Sequence, residues 1–234
     1  MTRHIFRLTY FKNIETFLRD GLVFAKNHPS AQRCWRTSYP DIVHRRGRSF
    51  FTPDQDNIND YVPFYFSPIT SMFYTIHKGN VDLKGPDDIC YGKASQDGIV
   101  FLVCNTDRIA SQGLPLWFTD IACNSAFIPN FENDLSKLST HVDWPLFEES
   151  FSKARISEIG YRGVHWDFTS KDNPMEYRNR DKKRMAEFMI KDALPMDLVD
   201  CIVVHNNGIK QQVETWMQAS SFSIPVYVKS GCYF

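Results

Sequence analysis

The chain has 234 residues, 43% hydrophobic side chains, and 27 basic against 27 acidic residues, so its formal net charge is zero. This length and apolar content support a buried core, predict one domain over residues 1–234, and exclude a disordered chain. A zero net charge provides no global basic field, so any binding of nucleic acid must depend on local basic patches and aromatic stacking.

The cysteines and histidines point away from a metal site. The six cysteines contain no Cys-x-x-Cys pair, and the histidines show no spacing typical of metal ligands.

The first residues lack the apolar core of a signal peptide, and no stretch approaches the roughly 18 consecutive apolar residues that a membrane span requires. We therefore expect a reduced, cytoplasmic protein without a metal and without a membrane segment.

The first half of the chain predicts short elements on either side of a long polar segment. A strand is expected over 4–8 and a helix over 10–19, which Thr9 or Tyr10 would open and Gly21 would end in the left-handed conformation. Residues 25–60 are polar and irregular, which is typical of a long loop. A strand over 61–66, a helix over 70–77 and a strand over 98–105, buried on both faces, follow.

The second half predicts further short elements. Helices are expected over 105–112, 131–138 and 209–218, with a half-turn or helix over 144–151. Strands are expected over 116–120, 186–190, 199–204 and 224–228, whereas residues 152–184 lose hydrophobic periodicity. The many short strands do not form regular βαβ units, so we predict an α+β fold.

Several common enzyme motifs are absent. The chain contains no Gly-x-Gly-x-x-Gly, no P-loop, no Gly-x-Ser-x-Gly and no His-Glu-x-x-His. Their absence removes the commonest routes to a Rossmann dinucleotide site, an NTPase, a serine hydrolase or a metalloprotease.

Glu187 is the residue that suggests a function. It stands where the basic run 180–184 changes into the apolar strand predicted over 186–190. A carboxylate at such a junction is held by a rigid element and faces a cleft, as a reacting group should. A lone glutamate in this position is more often a solvated charge at a strand edge, so the flanking motifs decide between the two interpretations.

These motifs follow one another in an order that is hard to obtain by chance. They are Phe6 to Thr9, Asn13-Ile14, Gly21-Leu22, Arg45-Arg46, Tyr61 to Pro68, Met72 to Tyr74, Phe118 to Asp120, Asp143-Trp144 and Ala186 to Phe188. With them the chain resembles the DarT family of toxin enzymes, which transfer ADP-ribose from NAD to a base in single-stranded DNA.

The resemblance implies a fold, a co-substrate and a set of site residues. The fold would be that of the ADP-ribosyltransferases, with a split central β-sheet and peripheral helices, and NAD would be the co-substrate without a metal. Catalysis would belong to Glu187 and Arg46, because a carboxylate can stabilise the ribose cation or accept a proton from the acceptor. The residues implied in NAD binding are Arg7, Thr9, Asn13, Gly21, Arg45, Tyr61, Phe64 and Tyr74. Taken alone, Thr9, Asn13 and Gly21 can equally serve only to cap and end the first helix.

The basic run before Glu187 has two interpretations as well. A charge run is usually a solvated face, but in ADP-ribosyltransferases the loop before this glutamate selects the acceptor. The resemblance therefore implies that single-stranded DNA binds to Arg178, Arg180, Lys182, Lys183 and Arg184 through its phosphates. It also implies a monomeric toxin whose cognate antitoxin carries a macrodomain.

Departures from the family pattern concern the acceptor. Arg7 stands where many relatives carry a histidine, and the segments around Ile69 and Cys123 also differ. We take these as signs of a divergent branch and favour guanine over thymine as the modified base. The alternatives are an RNA or protein acceptor, and a catalytically silent nucleic-acid-binding module, which would not require Glu187.

Overall fold

A computed structural model describes residues 3–37, 46–123, 128–148, 152–165 and 180–234. Its centre is an eight-stranded sheet in which the neighbouring strands run antiparallel, except for the last pair at one edge, which is parallel. In spatial order the strands are β12 (Val226–Val228), β11 (Val199–Val204), β6 (Ile99–Asn105), β1 (His4–Tyr10), β3 (Tyr61–Tyr65), β9 (Glu187–Lys191), β7 (Leu116–Thr119) and β8 (Phe131–Glu132).

The sheet is split in its middle. β1 pairs with β6 along its whole length, from His4 to Tyr10, but it meets β3 at one position only, where Phe6 faces Tyr65. Two four-stranded halves therefore diverge from a single bridging pair. The predicted α+β fold with a split central sheet is confirmed.

The helices are short and lie around this sheet. They are α1 (Asn13–Asp20), α2 (Ser71–His77), α3 (Thr106–Ser111), α4 (Leu138–His141), α5 (Arg180–Lys183) and α6 (Asn207–Gln218). α1 buries Ile14, Phe17 and Leu18, which recur at helical spacing, and it packs against α6. The helix begins at Asn13 and not at Thr9 or Tyr10, because β1 continues to Tyr10. Gly21 ends it as predicted, with φ of 71° and its N–H donating to the carbonyl of Phe17.

Some elements differ from the predictions. Residues 131–138, predicted as a helix, begin with β8 and continue with a 3-10 turn at Leu135–Lys137, because Asp134 accepts the N–H of Ser136 and favours a turn. For 144–151, where a half-turn or helix was predicted, the structure has the shorter alternative, a 3-10 turn at Trp144–Leu146. Within the predicted loop 25–60, residues 46–49 are helical and Ile58–Asp60 form a 3-10 turn.

Two small two-stranded sheets were not predicted. β2 (Leu22–Phe24) pairs with β10 (Ala193–Pro195), and β4 (Asp82–Lys84) pairs with β5 (Cys90–Lys93). All four residues of β5 are exposed, so this strand lacks the apolar alternation by which a sequence indicates a strand. Among the helices of the described ranges, none has the length and apolar character that crossing a membrane demands.

Candidate active site

Glu187 is the first residue of β9, and β9 lies inside the sheet between β3 and β7. Its partner across the strand pair is Tyr65, which also occupies the point where the two halves of the sheet meet. The Glu187 side chain is 0% exposed. The interpretation of Glu187 as a solvated charge at a strand edge is therefore wrong, because β7 pairs with the other side of β9 and the N–H of Cys123, in the turn after β7, binds the carboxylate.

Three hydrogen bonds hold the Glu187 carboxylate. Nη1 and Nη2 of Arg46 donate to Oε1 and Oε2 at 2.8 and 2.6 Å, which makes a two-pronged ion pair. The backbone N–H of Cys123 donates to Oε1 at 2.9 Å. Burial opposes the charge of Arg46, but the carboxylate outweighs it and raises the pKa of Arg46 above its usual value. The fold thus brings together the two residues predicted to be catalytic.

Tyr65 lies between the Arg46–Glu187 pair and the other half of the sheet. Burial raises the pKa of its hydroxyl, and the negative charge of Glu187 raises that pKa further. The sequence analysis named Tyr65 only within the motif 61–68 and did not select it. Its position at the bridging pair with Phe6 is a tertiary feature.

Arg7 extends from β1 towards the same junction. Its Nη1 donates to the carbonyl of Pro63 at 3.1 Å, and its buried Nε has no hydrogen-bond partner among the residues that the structure describes. Burial lowers the pKa of Arg7, and the ionisable groups that partly offset this are Cys34 and Tyr65. No carboxylate of the described residues forms an ion pair with Arg7, so its charge lacks a counter-ion in this part of the chain.

Thr9 and Asn13 hold the segment around Trp35. The Asn13 amide donates to Thr9 Oγ1 at 3.0 Å and to the Trp35 carbonyl at 2.9 Å, and Asn13 Oδ1 accepts the Trp35 N–H at 2.8 Å. Asn13 therefore anchors Trp35 beside a groove that is also lined by Phe11, Lys12, Arg33 and Trp216. The ammonium of Lys12 lies 4.6 Å from the centre of the Trp35 ring.

The other predicted NAD-binding residues have contacts elsewhere. Tyr61 and Phe64 are buried, and the Tyr61 hydroxyl donates to Asp56 at 2.9 Å. Tyr74 is 38% exposed and its ring packs against Phe234. Gly21 ends α1, as described above. None of these contacts involves Glu187, so a role of the four residues in NAD binding stays a prediction. Arg45 lies outside the described residues.

The predicted DNA-binding run is only partly a surface. Arg184 is 1% exposed and its guanidinium donates to the carbonyls of His165 and Leu146. Arg180 is also buried. Lys183 forms an ion pair with Asp143 at 2.7 Å, and the carbonyl of Lys182 accepts the N–H of Ala122 at 3.3 Å. The expectation of a solvated, phosphate-binding side chain is therefore wrong for Arg184, whose donors are occupied by backbone oxygens.

Arg178, the first residue of the predicted DNA-binding run, lies outside the described residues. Within the described ranges, no group of three or more His, Cys, Asp or Glu side chains could hold a metal ion. All six cysteines are free thiols.

Sequence analysis missed two residues of this site. The N–H of Cys123 binds the carboxylate, although Cys123 was noted only as a departure from the family pattern. Thr119 Oγ1 accepts the N–H of Glu187 at 3.1 Å, although Thr119 was noted only within a strand end. Neither contact has a signal in the local sequence, because each joins residues more than 60 positions apart.

Comparisons with known proteins identify the family and the fold of the chain. The family model described as "DarT: ssDNA thymidine ADP-ribosyltransferase, DarT" matches residues 6–234. A DNA ADP-ribosyl transferase of Escherichia coli O127:H6 is 26% identical over 98% of this chain and 93% of its own.

Two solved structures of DarT from Thermus sp. 2.9 have the same fold. The complex with ADP-ribosylated ssDNA has a TM-score of 0.76 at 25% identity, over 99% of this chain and 96% of the other. The complex with NAD+ has a TM-score of 0.72 at 24% identity, over 99% and 97% of the two chains. Because the family model covers nearly the whole chain, the protein belongs to the DarT family, the ssDNA thymidine ADP-ribosyltransferases.

Proposed function

We propose that this protein transfers ADP-ribose from NAD to thymidine in single-stranded DNA, as a single-domain toxin. The observation that carries the proposal is the buried Arg46–Glu187 pair at the split of the sheet, next to Arg7, whose charge has no carboxylate partner among the described residues. Membership of the DarT family and the Thermus relative seen with ADP-ribosylated ssDNA support the reaction type.

Glu187 would act on the ribose of NAD. Transfer breaks the bond between ribose C1 and nicotinamide, forms a bond from C1 to the base, and releases one proton. The ribose gains positive charge while the nicotinamide leaves, and a carboxylate in a dry site stabilises that charge strongly. Because Glu187 is 0% exposed, Arg46 has to give up at least one of its two hydrogen bonds before the ribose can reach an oxygen of the carboxylate.

Arg7 would bind the pyrophosphate. A buried guanidinium without a counter-charge is costly, so an anionic ligand placed there gains more than at a solvated arginine. Within the described ranges, Nη1 of Arg7 contacts a carbonyl and Nε has no hydrogen-bond partner, so these residues use only part of the planar donor edge of Arg7.

The groove beside Trp35 would take the adenosine portion. Thr9 lies two residues beyond Arg7 on β1, and Asn13 ties Thr9 to the backbone of Trp35. An adenine ring can stack on an aromatic face, while Lys12 and Arg33 lie close enough to the groove to attract phosphate oxygens. In this proposal Thr9 and Asn13 shape the groove by holding Trp35.

The acceptor in this proposal is thymidine, which replaces the guanine favoured by the sequence analysis. The family description names thymidine, and the departures at Arg7, Ile69 and Cys123 do not outweigh it, since Cys123 contributes to the site through its backbone N–H. A cytoplasmic location, a monomeric state and a cognate macrodomain antitoxin stay predictions.

Purified protein, NAD and defined oligonucleotides test the proposal. We expect mass spectrometry to find one added ADP-ribosyl group on single-stranded oligonucleotides that contain thymine, and none when every thymine is replaced. Modification that needs guanine instead would correct the base. Modification of RNA or protein but not of DNA would refute the proposed substrate class, and no modification of any acceptor would favour the silent binding module.

A further inference from the structure

Thr119 connects the strand that carries Glu187 to the turn that holds its carboxylate. Its hydroxyl accepts the backbone N–H of Glu187 at 3.1 Å and donates to the carbonyl of Ile121 at 2.7 Å. The side chain is 0% exposed, so water cannot replace either hydrogen bond. A single hydroxyl therefore ties together the end of β7, the start of β9 and the turn 121–123.

The same turn supplies a backbone donor to the reacting group. Two residues after Ile121, the N–H of Cys123 donates to Oε1 of Glu187 at 2.9 Å. Ala122 in this turn donates to the carbonyl of Lys182 at 3.3 Å, which links the turn to α5. The position of the carboxylate thus depends on a turn whose geometry Thr119 sets.

The two carboxylate oxygens are held unequally. Among the described residues, Oε1 accepts from both Arg46 and Cys123, whereas Oε2 accepts from Arg46 alone. If Arg46 turns towards substrate, Oε1 stays on a backbone N–H that cannot rotate away, and Oε2 becomes the oxygen free to face the ribose.

We propose that Thr119 is a positioning residue for ADP-ribose transfer, which holds Glu187 in its reactive orientation through the Cys123 turn once Arg46 has moved. This inference rests on the proposed function and adds to it a residue that does not touch substrate. A carboxylate displaced by about 1 Å from the reacting ribose would lower the rate about 100-fold, so the hydroxyl has a measurable consequence.

The test compares Thr119→Val, which keeps the shape and removes the hydroxyl, with Thr119→Ser, which keeps the hydroxyl. Thr106→Val is the matched control, because Thr106 is also buried and its hydroxyl donates to a backbone carbonyl, that of Arg3, at 3.1 Å. All variants are assayed for transfer to a thymine-containing oligonucleotide at a temperature where thermal melts show them folded.

We expect Thr119→Val to lower kcat about 10- to 100-fold while KM for NAD changes less than about threefold, since the loss is in orientation and not in NAD binding. Thr119→Ser should keep kcat near the wild-type value, and Thr106→Val should lose stability but not kcat. If Thr119→Val does not fold, Thr119→Cys replaces it, and kcat below that of Thr119→Ser is expected because a thiol is a weak hydrogen-bonding group.

A wild-type kcat in the Val or Cys variant, an equal loss in the Ser variant, or an equal loss in Thr106→Val would overturn the positioning role and leave the proposed function standing. A wild-type protein that modifies no DNA would overturn the proposed function, and this inference with it.

Discussion

Replacing Glu187 by glutamine is expected to destabilise the protein as well as to abolish transfer. Replacing a solvated carboxylate at a strand edge would leave the stability of the fold nearly unchanged. The structure requires a different result, because Glu187 is 0% exposed and Arg46 is 12% exposed in their ion pair. Glutamine keeps an oxygen for the Cys123 N–H but leaves the Arg46 charge without its counter-charge.

The size of the effect follows from the burial of this pair. Breaking a buried ion pair by removing one partner costs about 3–5 kcal/mol, and we expect the lower end, about 3 kcal/mol, because water reaches part of Arg46. For a protein of this size each kcal/mol lowers Tm by roughly 2–4 °C, so Tm should fall by roughly 6–12 °C. Transfer should fall by at least about 100-fold, the scale for removing one electrostatic group from a reacting centre.

Thermal and urea unfolding of Glu187→Gln, of Arg46→Met and of the double variant measure this effect. Removing both partners leaves no unpaired buried charge, so the double variant should be more stable than the sum of the two single losses requires. A Tm of Glu187→Gln within about 2 °C of the wild-type value would refute the reasoning, because it corresponds to less than about 1 kcal/mol. Additive losses in the double variant would equally show that the two residues are not coupled.

Three further results are expected. Arg7→Met should raise KM for NAD about 10-fold or more with a smaller change in kcat, since it removes a charge-assisted contact to the pyrophosphate worth about 1.5–3 kcal/mol. Steady-state kinetics at varied NAD concentration measure both constants, and an unchanged KM would show that the pyrophosphate does not bind Arg7. Replacing Lys182 and Lys183 together by Gln should lower the slope of log affinity for single-stranded DNA against log salt by up to about 1.4. Arg184→Met should leave this slope unchanged and lower Tm, because the Arg184 donors are bound to backbone carbonyls. A salt-slope change in Arg184→Met alone would contradict the structural role of Arg184. Excess EDTA should leave transfer unchanged, because in the proposed mechanism the Glu187 carboxylate and not a metal ion stabilises the ribose cation. Lost activity that Mg²⁺ or Zn²⁺ restores would contradict this.

The sequence alone predicted the strands whose burial leaves a local pattern. β6 is apolar up to Cys104 and β11 is apolar except for Asp200, and both were predicted within one residue of their observed bounds. A strand buried on both faces needs apolar side chains at adjacent positions. β4 and β5 escaped prediction for the opposite reason. Their side chains are mostly exposed, so pairing between the two strands and not burial holds them.

The sequence also determined the family and the identity of the central carboxylate, through an ordered series of motifs. It could not show that Arg46 binds Glu187, because the two residues are 141 positions apart and sequence spacing carries no information on such a contact. It selected Thr9 and Asn13 as NAD ligands, which stays a prediction, but it could not show that Asn13 donates to Thr9 and binds the backbone of Trp35.

Only the tertiary structure decided which charges are buried. Glu187 and Arg184 both look like surface charges in a basic, polar stretch of sequence, yet the first pairs with Arg46 and the second binds the carbonyls of His165 and Leu146. A charged side chain enters a protein interior only where distant parts of the chain bring the groups that satisfy it. The composition of a segment therefore determines only its average polarity. Glu187 is a candidate active-site residue because it lies where β7 and β9 pair and because Arg46, 141 positions earlier in the chain, binds its carboxylate.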